Sequence, residues 1–374
     1  MKVLLCPDSF KGSLTASDAA KAMAAGISEY DHTIQTVLLP VADGGEGTVT
    51  SLVNATNGKI VRVSVQNPLG KKIMASYGVL GDGKTCVIEM AEASGLTLLR
   101  EQERNPLLAS TYGTGELIHH ALDAGYRTFI LGVGGSATND GGAGMLQALG
   151  LKLLDDKGKE IAAGGQALQT LVRIDQSSFD PRIQESTFII ASDVDNPFIG
   201  PNGASAIFGP QKGATPEMVE TLDQSLSHFA DLIEQTTGLS IHDKPGAGAA
   251  GGIGGAFQSF FPAEMKQGIH VVLKAIHFEQ HMKEADLVMT GEGKTDRQTL
   301  SGKAPYGIKE IAARHQVPVI LISGAVEDKE FLRLHFNELH SVSGRGVSKK
   351  ESMGQAYQYL KNKTKEVISA YLEN

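Results

Sequence analysis

Residues 1–50 read MKVLLCPDSFKGSLTASDAAKAMAAGISEYDHTIQTVLLPVADGGEGTVT. The aliphatic run from Val3 to Leu5 predicts a strand that ends at Cys6-Pro7. The polar stretch Asp8-Ser9-Phe10-Lys11-Gly12-Ser13 predicts a loop. Thr15 with Asp18 three residues on has the capping-box pattern of a helix start. Ala19, Ala20, Met23 and Ile27 then share one helical face. A second strand is expected from Thr36 to Val41, a loop over Asp43–Gly47, and a helix from about Thr48. This βαβα rhythm is that of a parallel sheet covered by helices.

The rhythm changes further along. Alternating runs from Ile60 to Val65 and Lys72 to Leu80 flank the turn Asn67-Pro68-Leu69-Gly70. With a strand from Cys86 to Met90 they read as antiparallel hairpins. Helix, strand and glycine loop return between Gly113 and Gly144. Later come a strand from Thr187 to Ala191, a helix from Pro216 capped by Thr215, and a helix expected from about Pro262 to Met282. Strands follow at Asp286–Met289, Val317–Ile322 and Leu339–Val342. Ser348 with Glu351 reads as the cap of the last helix. The expected architecture is α/β: a discontinuous, doubly wound Rossmann-like domain of residues 1–60 and 286–374, with a mixed α/β domain inserted at 61–285 and the active site in the cleft between them. The segment 113–149 fits either domain.

Composition sets limits. The chain has 374 residues, with 34 basic and 42 acidic side chains for a net charge of −8. These are globular values, and an acidic chain lacks the basic footprint of a nucleic-acid binder. No run approaches 18 apolar residues, so no membrane partner is expected. Two cysteines make no disulfide framework. No signal-peptide pattern is seen, so the expected location is cytoplasmic. Glycine, at 44 residues, is the outlier.

The glycines cluster where chemistry is expected. Loops 8–13, 43–47, 132–144 and 291–296 each follow a strand with glycine, small hydroxyls and charged groups. Ligands of open α/β sheets bind outside the carboxyl ends of strands. Glycine lets backbone N–H groups approach an anion, and helix N-termini add partial positive charge. Gly132-Val133-Gly134-Gly135-Ser136-Ala137 matches a dinucleotide fingerprint on paper, with Asp155 and Asp156 at the right distance. The polar loop runs on through Thr138-Asn139-Asp140, though, where that motif needs a helix, and an acidic group there suits a metal or a hydroxyl. Gly291-Glu292-Gly293-Lys294-Thr295 resembles the tail of a P-loop, but Val288 stands where the first glycine is required. Lys294 and Lys303 remain candidate point charges for phosphate. Asp193 and Asp195 form a carboxylate pair able to hold Mg²⁺ or take a proton. Gly246–Gly255 reads as a ligand approach, a hinge or close helix packing. His277 and His281 have helical spacing on an exposed face.

Taken together, DSFKGSLTA, VADGGEGT, GGSATNDGGAGM, DVDNPFIGPNGA, GPQKGA, GAAGGIGGA and TGEGKTDRQTLSGK resemble the type 1 glycerate kinases of bacteria, in that family's order over residues 1–345. The resemblance implies ATP-dependent phosphorylation of D-glycerate, with 2-phosphoglycerate as the expected product and ATP and Mg²⁺ as cofactors. On that footing Asp193 is the first candidate base and Asp43 the second. Lys11 with Ser9, Gly12 and Ser13 is expected to bind an anion. Gly44, Gly45, Gly134, Gly135, Ser136, Thr138 and Asn139 line a phosphate path, and Lys212 and Lys303 neutralise charge. Glu292 and Asp296 are the metal-side carboxylates. A homo-oligomer is left open. The alternatives are a nicotinamide-dependent hydroxy-acid oxidoreductase and a non-catalytic sugar-acid binding protein.

Overall fold

The computed structural model describes residues 1–42, 44–45, 47–300, 302–343 and 349–373. In chain order the strands are β1 (Lys2–Pro7), β2 (Gln35–Leu38), β3 (Lys59–Gln66), β4 (Lys72–Val79), β5 (Thr85–Glu89), β6 (Thr128–Gly132), β7 (Lys152–Leu154), β8 (Arg173–Asp175), β9 (Thr187–Ala191), β10 (Ala263–Lys266), β11 (Leu287–Gly291), β12 (Lys294–Thr295), β13 (Val319–Ser323), β14 (Ala325–Val326) and β15 (Glu338–Ser341). The chain is mixed α/β and divides into two compact units: Met1–Asp43, Thr50–Asn57 and Gln267–Asn374 form the first; Gly44–Val49 and Gly58–Lys266 form the second.

The first unit holds an all-parallel sheet of order β15-β13-β11-β1-β2. Its central strands LVMTG and VILIS are wholly buried. Unbroken apolar runs of this kind mark strands covered on both faces. The chain moves outward from β1 to β2 and returns to start again at β11 on the other side of β1, so the strand order reverses between β1 and β11. Strand β2 is shorter than expected, ending at Leu38 ahead of Pro40 on the open edge of the sheet. Leu39 and Val41 still donate to Leu5 and Pro7, so the segment keeps its alignment.

The helix Ala16–Tyr30 starts as its sequence predicts. Thr15 Oγ1 accepts from Asp18 N at 3.1 Å and donates to its carboxylate at 2.8 Å. Ala19, Ala20, Met23 and Ile27 are all buried. The helix packs on Ala356–Glu373, and Gly26 makes the close approach possible: a Cβ there would stand 2.3 Å from the Lys361 carbonyl oxygen. The Ser348 cap lies outside the described residues.

The second unit has a mixed sheet of order β10-β9-β6-β5-β4-β3. The β3–β4 hairpin is antiparallel, and its turn is fixed by Asn67 Oδ1 accepting from Leu69 N and Lys71 N. Strand β5 corrects the all-hairpin reading. It runs antiparallel to β4 but parallel to β6, so the sheet changes type at this strand. Phe129 of β6 and Phe188 of β9 stack at 4.7 Å in the core.

The single helix expected from Pro262 to Met282 is not formed. Ala263–Lys266 is strand β10, paired in parallel with Phe188–Ala191. Helices Gly268–Ala275 and Phe278–Met282 follow, separated by His277 in a left-handed conformation at φ 53°. Tertiary pairing overrides the helical propensity of AEMK. His277 and His281 therefore do not share a helical face as i and i+4.

If Gly26 is a packing requirement, Gly26→Ala destabilises. In an exposed helix the change would stabilise by about 1 kcal/mol. Here we expect a loss of about 2 kcal/mol from overpacking, read by urea denaturation. A stabilised variant would contradict the packing described.

Candidate functional site

In the first unit, the loops after β1 and β11 leave the sheet where the strand order reverses, the place where open α/β sheets bind ligands. Asp8 N donates to the Gly291 carbonyl at 2.8 Å. Ser9 N turns back to Asp8 Oδ1 at 2.6 Å. Ser13 donates to the Phe10 carbonyl through both its amide and its hydroxyl, each at 2.8 Å, across a turn that needs Gly12 at φ +80°. Phe10 is the buried anchor, while Lys11 and Gly12 are exposed. A Cβ on Gly293 would come within 3.1 Å of Lys11 N, so the two loops lie against one another.

Glu292 sits inside this arrangement, 7 % exposed. Its Oε1 accepts from Thr299 Oγ1 at 2.7 Å and Thr295 Oγ1 at 3.1 Å. Thr295 and Ser323 hydroxyls also bond to each other at 2.8 Å. Burial raises the Glu292 carboxyl above its usual range, opposed by the Thr299 hydroxyl and the Lys303 charge. Lys303, half-buried, precedes the helix Ala304–Arg314. Asp296 is half-buried; its Oδ1 accepts from Gln298 N, and its Oδ2 lies 3.4 Å from Lys294 Nζ. Lys294 also pairs with Glu327 at 3.0 Å and so has carboxylate partners already.

In the second unit, Glu89, Gly132, Ala191 and Lys266 stand in one row across the carboxyl ends of β5, β6, β9 and β10. Glu89 is buried, and its carboxylate accepts from Gly47 N at 3.2 Å and Val49 N at 2.6 Å. Gly44 and Gly45 then press on the β6 loop: a Cβ on Gly132 would be 2.5 Å from the Gly44 oxygen, and one on Gly134 3.1 Å from Gly45 Cα. Asp43 lies outside the described residues. Asp193 is exposed on the loop after β9, the strand that pairs with β6.

The β6 loop is split by depth. Gly134 and Gly135 are exposed at its tip, whereas Ser136 to Asp140 are buried. The side chains of Thr138 and Asn139, expected to line a phosphate path, are wholly buried, with Asn139 Nδ2 donating to Ser205 Oγ at 2.9 Å. Asp140 is not turned to a metal. It accepts from Thr111 N (2.8 Å), Thr111 Oγ1 (2.9 Å), Gly142 N (3.1 Å) and Gly144 N (3.2 Å). Burial still raises its carboxyl, against those bonds. A helix begins only at Ala143, so the dinucleotide pattern, which needs it earlier, is not realised. Lys212 is also interior, 1 % exposed, with Nζ donating to the Thr138 carbonyl at 2.7 Å. Burial pushes it down to about 7, although the Asp140 charge pulls the other way. Gly246–Gly255 proves to be close packing: a Cβ on Gly251 would stand 2.0 Å from the Thr138 oxygen, and one on Gly252 2.7 Å from the Phe198 ring. Asp140, Glu89 and Ser205 were not legible as partners, because the groups they bind are 29, 40 and 66 positions away in the chain.

Comparison with known proteins decides the class. The glycerate kinase family model matches residues 3–372. The chain belongs to the glycerate kinase family. A glycerate kinase of Bacillus subtilis is 48% identical over 99% of this chain and 97% of its own. A glycerate 2-kinase of Escherichia coli is 50% identical over 88% of this chain and 86% of its own. A solved structure from Salmonella typhimurium LT2, named for glycerate kinase 2, superposes with a TM-score of 0.91 at 45% identity, covering 100% of this chain and 98% of that one. The protein is therefore a kinase and, as a kinase, uses ATP. The oxidoreductase and non-catalytic alternatives fall. No helix among the described residues is long and apolar enough to cross a membrane.

The Lys212 environment predicts a pH signature. Its folded-state pKa lies near 7, below the ordinary value of 10.5. Between those values the unfolded chain binds the extra proton, so this group's contribution to stability rises with pH. Relative to Lys212→Met, the native protein should gain stability from pH 7 to 8.5, on the order of 1 kcal/mol. Parallel stability curves for the two proteins in urea would contradict this placement.

Proposed function

We propose that this kinase transfers the γ-phosphoryl group of ATP to the 2-hydroxyl of D-glycerate, giving 2-phosphoglycerate. The observation that carries the reading is similarity along the whole chain to proteins named glycerate kinase and glycerate 2-kinase, with seven glycine-rich motifs in order. The loops at the reversal between β1 and β11 support it physically, and they fit a doubly wound, Rossmann-like frame. The working compartment is the cytoplasm, where the two buried free thiols stay reduced.

Phosphoryl transfer asks mainly for positioning and charge neutralisation. In the first unit the exposed Lys11 ammonium, with Ser9 and Gly12 beside it on a turn fixed by the bonds of Ser13 to Phe10, binds an anionic group. Lys303 neutralises transferring charge. Glu292 and Asp296 fit Mg²⁺: the ion is commonly held by one or two carboxylates plus substrate phosphates, and these two stand four positions apart on one loop. When bound, Mg²⁺ would neutralise phosphate charge. In the second unit the exposed Gly134-Gly135 tip and Ser136 present N–H groups to phosphate, backed by Gly44 and Gly45. Thr138 and Asn139 brace that tip from below. Asp193, exposed at the carboxyl end of β9, is the base that orients the attacking hydroxyl and accepts its proton. Asp43 is the second candidate.

The test is the protein with Mg²⁺-ATP and D-glycerate, followed by phosphorus–proton NMR of the product. A phosphomonoester coupled to one methine proton is expected; coupling to a methylene pair would move the product to 3-phosphoglycerate. ATP left unconsumed with either glycerate enantiomer would overturn the reading. Asp193→Asn should lower kcat by ~10²-fold or more. Near-normal turnover in that variant would remove the base from Asp193.

A further inference from the structure

Lys212 is an expensive residue for its position. Its ammonium is wholly buried, and the acceptor its Nζ reaches is a neutral carbonyl, that of Thr138, at 2.7 Å. Desolvating the amine outweighs the pull of the Asp140 carboxylate, so the buried lysine costs stability that an apolar side chain of similar length would not. Its place in the fold indicates what that cost secures. Thr138 lies in the buried foot from which the exposed Gly134-Gly135 tip rises. At Thr138 the foot is not tied by its own side chain: Thr138 Oγ1 and the neighbouring Asn139 Oδ1 are buried oxygens without a hydrogen-bond partner, and Asn139 is held through its Nδ2 bond to Ser205. The Thr138 carbonyl is instead gripped from two sides. Gly251 backbone closes on it so tightly that a Cβ would stand 2.0 Å away, and the Lys212 ammonium meets it from elsewhere in the chain, 74 positions on. Asp140, two residues further along, fixes the other end of the foot through Thr111, Gly142 and Gly144.

We propose that Lys212 is a positioning residue for phosphoryl transfer: by holding the Thr138 carbonyl it sets the backbone N–H groups of Gly134, Gly135 and Ser136 in the arrangement that receives phosphate. Lys212 does not meet the substrate; it acts through the loop. This rests on reading the β6 loop as the phosphate loop. Displacements of about 1 Å in such positioning elements can lower turnover ~10²-fold.

The experiment measures melting temperature and steady-state kinetics for Lys212→Met, Lys212→Gln and Gly134→Ala beside the native kinase. Lys212→Met should melt higher than the native protein at pH 7.5, because a lysine that gives up its hydration or its proton on folding has been removed. Its kcat should nonetheless fall ~10–100-fold, with KM for D-glycerate within about twofold. Lys212→Gln keeps an N–H donor and should recover several-fold of the lost turnover. Full activity in Lys212→Met overturns the proposal, as does a Lys212→Met that is destabilised but turns over normally per folded molecule. Gly134→Ala alters the tip without touching Lys212, and its turnover should fall at least ~10-fold. If it turns over normally, the phosphate-loop reading fails and takes this proposal with it. A crippled Gly134→Ala beside a fully active Lys212→Met overturns the proposal alone.

Discussion

A carboxylate removed from water keeps its charge only if donors replace that water. Asp140 meets this condition with four: the Thr111 amide and hydroxyl, and the amides of Gly142 and Gly144. The requirement shapes everything around it. Thr111 precedes the helix Tyr112–Asp123, and Gly142 precedes the helix Ala143–Ala148, so one side chain ties two helix starts together. A side chain at Gly144 would put its Cβ 2.1 Å from Ser110 Oγ, and Gly141 and Gly142 both adopt positive φ. The glycines of this segment are therefore demanded by a carboxylate that must be surrounded at close range, with the exposed tip free for a ligand.

The same device recurs. Glu89 is buried and accepts from the amides of Gly47 and Val49, which fixes the glycine pair Gly44-Gly45 against the β6 loop. Glu292 is buried and accepts from Thr295 and Thr299, which shapes the loop after β11. Three of the four glycine loops thus have a buried acidic residue as their organiser. Preorganised N–H groups cost no rearrangement at the moment of reaction, and phosphoryl transfer depends on such preorganisation. A kinase that handles small anionic molecules gains from rigid loops more than from many cationic side chains, which agrees with a net charge of −8.

The sequence made local features legible. The Thr15 and Thr215 caps, the Asn67 turn and the bounds of β9 follow from short-range rules, and the structure bears them out. The glycine loops could be recognised as ligand-facing because their chemistry is contiguous. Features that depend on distant partners were not legible. AEMK at 263–266 reads as helix, yet pairs with a strand some 75 positions earlier. Lys212 reads as a neutraliser of transferring charge until Thr138 comes into contact with it. Asp140, in the most polar stretch of the chain, reads as a metal or hydroxyl ligand, and only burial turns it into scaffold. Sequence located the loops; tertiary structure decided which of their charges are internal.

Buried charge holds the β6 loop rigid. Hydrogen–deuterium exchange of a peptide spanning residues 138–146 tests it most directly, since it reports the Gly142 and Gly144 amides bonded to Asp140. Protection comparable to the core strands β6 and β9 is expected, with opening only on global unfolding. Exchange within ~10-fold of an unfolded chain, at a pH where the fold is intact, would contradict it.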